Sequence, residues 1–553
     1  MPCFAPTAPT GRSPRPAAHL LSAVRRAISA SVACAIAASC TGLSAADTPP
    51  AVRAPARVFE VTVAPQPSGR IDELVFARLN ELHLAPAHVC SDAVFVRRVF
   101  LDVIGTLPTA AETRQFLQDT APDKRAALID RLFERDEFAD YWAMKWSDLL
   151  RVKAEFPVNL WPNAAQAYHR WIRTAIRDNL PYDQFARTLL TASGSNFRVG
   201  PVNFYRALQN KEPPTIARAV ALALMGARAE KWPAERLAGM GAFFTQIGYK
   251  ATGEWKEEIV FFDPDKPVPA GTPAPVFPDG TPARLGPGQD PREAFADWLV
   301  DPKNPWFTRA IANRVWSWLL GRGIVQEPDD LRPDNPPANP KLLAYLEEQL
   351  VASHYDVKQL MRLILNSQTC QLSSLARSDR PEAEANFAFY AVRRLDAEVL
   401  IDALNQITGT TEDYSSAIPE PFTIVPESER AIALPDGSIT SSFLEAFGRP
   451  SRDTGLESER NNRITATQRL TLLNSTLIQR KLEQGPKLQP LLRPRGGPRE
   501  LVDGLYFTIL SRPPTEAERR IFVDYALAGS DVRASALDLA WALINSAEFL
   551  YRH

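Results

Sequence analysis

The 553-residue sequence is short of the residues that carry most metal and redox chemistry. Three of its five cysteines, Cys3, Cys34 and Cys40, fall in an N-terminal leader. Past the leader only Cys90 and Cys370 remain, with His83, His88, His169, His354 and His553, no two of them at ligand spacing. A c-type haem needs two thiols and an axial histidine in a Cys-x-x-Cys-His run, and the chain has none. No Cys/His cluster has zinc-site spacing. No cofactor and no metal is therefore expected. An excess of one charge is also missing. Lys+Arg 63 against Asp+Glu 64 gives a net charge of -1 without any block of like sign. That excludes the basic footprint of a nucleic-acid binder. Beyond the leader no apolar run is long enough for a transmembrane segment.

What is present begins with the leader. Arg12, Arg15, Arg25 and Arg26 form a basic n-region, with no acidic residue before Asp47. Residues 27–46 are small and apolar, and Ser44-Ala45-Ala46 suits signal peptidase. A signal peptide over 1–46 is expected, and with it an exported, periplasmic or cell-surface protein. Ala37-Ala38-Ser39 before Cys40 is an imperfect lipobox, so lipid anchoring at Cys40 is the alternative to soluble export. In an oxidising compartment Cys90 and Cys370 either join in one disulfide or stay as buried free thiols. Their long separation favours thiols.

A hydrophobic content of 45% with 11 Trp describes a large globular core. The length suggests two domains. The 48 prolines show where the boundaries fall. Residues 47–67 read as a flexible or polyproline-like lead-in. Residues 263–289 read as a Pro/Gly-rich linker in which only short edge strands can form. Just before it, Glu257–Phe262 reads as one strand, with Ala274–Phe277 its candidate partner. The expected fold is mainly α: helical blocks over 68–262 and 290–553, joined by a small β element.

Helix signals support both blocks. Ile71, Leu74, Val75, Leu79 and Leu82 share one helical stripe. Ser91 suits an N-cap and Gly105 a C-terminal stop. Thr109 with Glu112, and Thr515 with Glu518, have capping-box spacing. Leu365-Asn366-Ser367, Leu473-Asn474-Ser475 and Ile544-Asn545-Ser546 read as helix junctions, with Asn tolerating a left-handed backbone and Ser capping the next segment. The apolar segment Asp538–Leu550 should dock.

Several segments together carry a family resemblance. In the first block these are Arg97–Gly105 with Leu107-Pro108-Thr109, Trp142–Asp148, Leu189–Phe197 and Asn203–Arg206. They resemble domain-of-unknown-function family 1549. In the second block, Asp290–Ala294, Asn313–Trp316, Gly321–Val325, Asn335–Pro340, Arg393–Glu398, Phe447–Pro450 and Leu510–Pro514 resemble the companion family 1553. The resemblance implies an exported bacterial protein of unknown activity, from a group that often carries or adjoins cytochrome c modules. It also shows two departures. Where relatives carry Cys-x-x-Cys-His-Asn-His-Pro, Gly226-Ala227-Arg228-Ala229 runs straight into Glu230-Lys231-Trp232. Where relatives carry Cys-x-Cys-Glu-Arg, this chain has Glu457-Ser458-Glu459-Arg460. The resemblance thus implies a member without the haem-attachment motif.

The remaining candidates divide between structure and site. Glu257, Glu258, Asp263 and Asp265, and likewise Asp329, Asp330, Asp334 and Asn335, are oxygen-rich but lack EF-hand spacing, so solvated loops are expected. Ser195 lacks a nucleophile elbow and a placed histidine, and reads as part of a polar loop. Arg98 and Asp102 lie one helical turn apart and are candidates to pair. Arg314 lies among Ala310, Ile311, Val315, Trp316 and Leu319, so burial is expected, with Asp330 or Glu398 as its carboxylate. The sharper reading is a carbohydrate or carboxylate cleft between the blocks, with Trp142, Trp146, Trp316 and Trp318 as stacking faces. Its candidate ligand residues are Arg314, Trp316, Asp330, Glu398, Arg449, Glu459 and Arg460. Two functions stay open: a haem-free binding or assembly protein with an unidentified protein or glycan partner, or a hydrolase of extracellular glycan using paired carboxylates.

Overall fold

Local capping starts and stops the helices of both blocks. Ser91 Oγ accepts the Val94 backbone N–H at 3.3 Å and opens the helix Asp92–Ile104. Gly105 closes it at φ 59°, and a Cβ there would lie 2.5 Å from the Tyr141 ring, so only glycine serves. Thr109 and Thr515 both form complete capping boxes, opening Ala110–Gln118 and Glu516–Ala528. Ser475 and Ser546 cap the helices Thr476–Gln484 and Ala547–Leu550. Asn366 and Asn545 stay right-handed, at φ -80° and -85°, instead of adopting the left-handed turn the sequence suggests. The apolar stretch expected as one helix over 538–550 is two, Val532–Ile544 and Ala547–Leu550, because Ser546 restarts the chain.

The computed structural model describes residues 58–492, 497–529 and 531–553. The leader, with its signal peptide and Cys40, lies outside them. Among the described residues the protein is mainly α-helical, with one three-stranded and one two-stranded sheet. The first sheet has the order β1 (Gly194–Ser195), β3 (Glu258–Phe262), β2 (Ile247–Ala251), all antiparallel. Thus the strand expected before the linker forms, but it pairs with β1 and β2 and not with Ala274–Phe277. Pro273, Pro275 and Pro278 remove ladder donors there, and Val276 makes only an isolated bridge to Pro282. The second sheet joins β4 (Arg393–Arg394) to β5 (Tyr551–Arg552), so the last turn of chain docks. Part of the lead-in is also ordered into pairing: Glu60 bridges Cys90, and Val61 N–H reaches Val89 O at 2.9 Å.

Arg57–His553 is one compact unit in which both helical blocks share a single hydrophobic core. Trp142 and Trp146, on the helix Asp136–Leu149, meet Trp318, on the helix Phe307–Leu320, with ring centroids 5.4 and 5.9 Å apart. Cys90 and Cys370 are both buried free thiols. Burial, with Asp102 nearby, pushes the Cys370 thiol up to about 12. No helix among the described residues is long and apolar enough to cross a membrane.

Candidate functional site

A polar cleft of about 780 Å³ lies within the size range of small-molecule sites. The β4–β5 ribbon forms one wall. Its register sets Arg393 opposite Arg552 and Arg394 opposite Tyr551. Facing residues share a side of the sheet, so Arg393 and Arg552 converge and would repel. Asp102 lies between them, accepting from Arg393 at 3.0 Å and from Arg552 at 3.1 Å. Asp102 is therefore not the partner of Arg98. That guanidinium instead donates to the carbonyls of Cys370, Leu372 and His553, because those chain segments fill its side of the helix.

Asp396, directly after the ribbon, is the hub of the cleft floor. It takes Lys145 Nζ at 3.0 Å, Arg552 at 3.2 Å, Arg460 at 3.5 Å and Asn462 Nδ2 at 2.8 Å. Burial alone would raise its carboxyl, but Lys145, Arg460 and Arg552 outweigh burial and hold it well below the usual range. Arg460 bridges onward to Asp148 at 2.7 Å and to Glu398 at 2.7 Å. Glu398 is fully buried. Burial pushes it up, yet the charge and hydrogen bonds of Arg460 bring it down to about 2. Arg449 sits 3.5 Å from Glu398 and donates to the carbonyls of Ile439 and Asp436. Glu459 is bound by Ser451, by Thr454 and by the Asp453 backbone, and so shapes its own loop.

Arg314 is wholly buried, and its carboxylate is Asp329 at 2.8 Å, with both side chains at 0% exposure. The expected partners lie elsewhere. Asp330 pairs with Arg332 at 3.0 Å and with Lys231 at 3.8 Å, and Glu398 pairs with Arg460. The loop between Gly321 and Asn339 has no helical period to say which of two adjacent aspartates points inward, and it is Asp329 that turns in. Its second oxygen accepts the Glu457 backbone N–H at 2.6 Å. Trp316 is buried against Phe387, 5.0 Å between centroids. Trp142, Trp146 and Trp318 are buried too, so none of the four offers a free stacking face. The exposed tryptophan is Trp255, at 63%, on the β2–β3 turn.

Asp329 and Asp330 do not form a calcium loop, since each already has its cations, and no group of His, Cys, Asp and Glu among the described residues is arranged to hold a metal ion. Ser195 Oγ donates to Glu257 at 2.5 Å and no histidine approaches it. No residue lining the cleft is Cys or His, so the lining offers haem neither a thioether bond nor a histidine or thiolate axial ligand.

Sequence reasoning passed over several of the groups that line this cleft: Lys145, Arg394, Arg463, Glu457 and Arg552. Glu457 stands apart from them. Its carboxylate accepts the Trp318 indole N–H at 3.1 Å and has no cation partner among the described residues. Burial, reinforced by the Asp329 charge, raises its carboxyl above the ordinary range. The two segments at which the chain departs from its resemblance also meet here. Arg228 and Lys231 reach Glu327 and Asp330, while Glu457 is tied to Asp329, so both abut the loop 327–330.

Residues 70–232 match the family model PSCyt2, described as a protein of unknown function (DUF1549). Residues 291–526 match PSD1, described as a protein of unknown function (DUF1553). No curated protein and no solved structure matches the chain. The order of the two matches and their cover of most of the chain make it a member of the proteins that carry a DUF1549 domain followed by a DUF1553 domain.

Proposed function

We propose that the protein is an exported, haem-free binding protein whose ligand site is the cleft floored by Asp396 and Arg460. One observation carries the reading. Asp396, Glu398 and Asp148, the carboxylates of the cleft floor, are each held by Lys or Arg within 3.0 Å, which fixes their geometry. Preorganised charge of this kind orients a ligand at little entropic cost. The basic leader supports export, and a cleft without Cys or His supports the absence of covalent haem.

The test is thermal unfolding of the mature protein against a panel of small acids, sugars and peptides. A ligand that raises the midpoint of the native protein should lose its effect in Ser458→Trp, which fills the cleft from an exposed position on its wall. A ligand held equally by both forms places the site elsewhere. Protein from a haem-maturation-competent host should lack a Soret band, and a stoichiometric band would refute the haem-free reading.

A second reading has its own support. Glu457, held up, and Asp396, held down, are two carboxylates on one cleft with opposed proton affinities, the pattern of an acid paired with an ionised partner. A glycan hydrolase built on that pair would lose turnover in Glu457→Gln while keeping its fold. Undiminished hydrolysis by that variant would exclude it.

A further inference from the structure

We infer that the cleft takes a ligand bearing an oxyanion, carboxylate or phosphate, held by Arg394 and Arg463. The inference rests on the cleft being the ligand site and adds the chemistry of what enters it.

Four of the six cations that line the cleft are matched by a carboxylate. Lys145 has Asp396, Arg393 has Asp102, Arg552 has both, and Arg460 has Asp148, Asp396 and Glu398. Arg394 and Arg463 have no ion pair among the described residues. For Arg463 this is unremarkable, because it is exposed at the cleft wall. Arg394 differs. It is 1% exposed, and it directs Nη2 to the carbonyls of Phe447 and Asn461, at 2.5 and 3.1 Å. Its Nε and Nη1 are buried with no partner in the protein. A guanidinium offers five N–H donors in a planar fork, and leaving several dry and unmatched is costly. An anion entering the cleft supplies the missing acceptors, and a fork of this kind suits the paired oxygens of a carboxylate or phosphate.

Two features set the position. Asn461, which accepts from Arg394, is two residues from Arg463, so one short segment carries both the contact to the buried cation and the exposed one. The same segment is anchored by Asn462 to Asp396, so a ligand at Arg394 and Arg463 lies beside the charge hub, with Lys145 and Arg552 close by. Glu457, the one lining carboxylate without an ion pair among the described residues, is engaged by the Trp318 indole N–H at 3.1 Å.

The experiment is isothermal titration calorimetry of the full mature chain with acetate, citrate, inorganic phosphate and, as a neutral control, glucose. At least one anion should bind at a single site. Arg463→Glu should weaken it by roughly tenfold or more, and Arg394→Lys, which keeps the charge and loses the fork, should weaken it as well. Arg520→Glu, an equal charge change on an exposed helix face away from the cleft, should leave it unaltered. Acetate and citrate against phosphate decide which oxyanion the site prefers. Should Arg394→Lys fail to fold, Arg463→Glu against Arg520→Glu still decides. No anion binding, or equal weakening by Arg463→Glu and Arg520→Glu, overturns the inference. If instead glucose or another neutral ligand binds and Ser458→Trp abolishes it, the oxyanion chemistry is wrong and the cleft reading stands.

Discussion

Arg314 and Arg394 are both buried arginines of the second block, and they have opposite surroundings. Arg314 has Asp329 at 2.8 Å and the carbonyls of Ala223 and Leu222 at 2.8 and 3.2 Å. Those carbonyls belong to the helix Pro213–Met225, so the pair rivets the DUF1553 region to the DUF1549 region. Arg394 has carbonyls alone and two idle nitrogens, on the wall of a cleft. Burial therefore does not by itself assign a role to a charged residue. Arg98 also meets only carbonyls, but it lies away from the cleft; what marks Arg394 is an unanswered charge on a cleft wall.

The comparison breaks most visibly at Arg314. Arg314→Ala leaves Asp329 charged and dry, and should cost about 3–5 kcal/mol in chemical denaturation. An unchanged midpoint would mean that the rivet contributes nothing to stability. A smaller effect is expected at Glu398, whose carboxyl lies below its free value, so that its contribution is present at neutral pH and lost as pH falls from 4.5 toward about 2. Glu398→Gln should be less stable than the native protein by about 3 kcal/mol at pH 7, and the gap should close across that window. A gap that stays constant with pH would show that Glu398 is not an ionised partner of Arg460. Smallest is the capping box of the helix Glu516–Ala528, where Thr515→Ala should cost about 1 kcal/mol, measured by urea denaturation. No loss there would mean that packing and not capping starts the helix.

These three sites also differ in how much of them is legible in the sequence. The capping boxes depend on residues three apart, and both form as their spacing indicates. The burial of Arg314 is legible from its apolar helical neighbours, but its partner is misread by one residue, since the loop carrying Asp329 and Asp330 has no period. The tryptophans of the two blocks enter the sharper reading as stacking faces, and their burial against one another places them in the core. The cleft is legible only in Arg460, one of its expected ligand residues; the rest of its lining is not. Lys145, Arg394, Arg460 and Arg552 come from four separate parts of the chain, and only the pairing of β4 with β5 and the docking of the first block assemble them. Motif reading marks Arg460 and Glu398 as notable, and tertiary structure turns them into one ion network with Asp148.

The central claim is that the unanswered arginines of the cleft await an anion while the answered ones hold the fold. The most direct measurement is thermal denaturation of the native protein and of Arg463→Glu over a citrate series at constant ionic strength. Binding to the native state alone raises the midpoint with ligand concentration. The account predicts a midpoint that climbs for the native protein and that needs roughly tenfold more ligand for the same rise in Arg463→Glu. Two curves that coincide would reduce the effect to general stabilisation by an excluded anion and contradict the account.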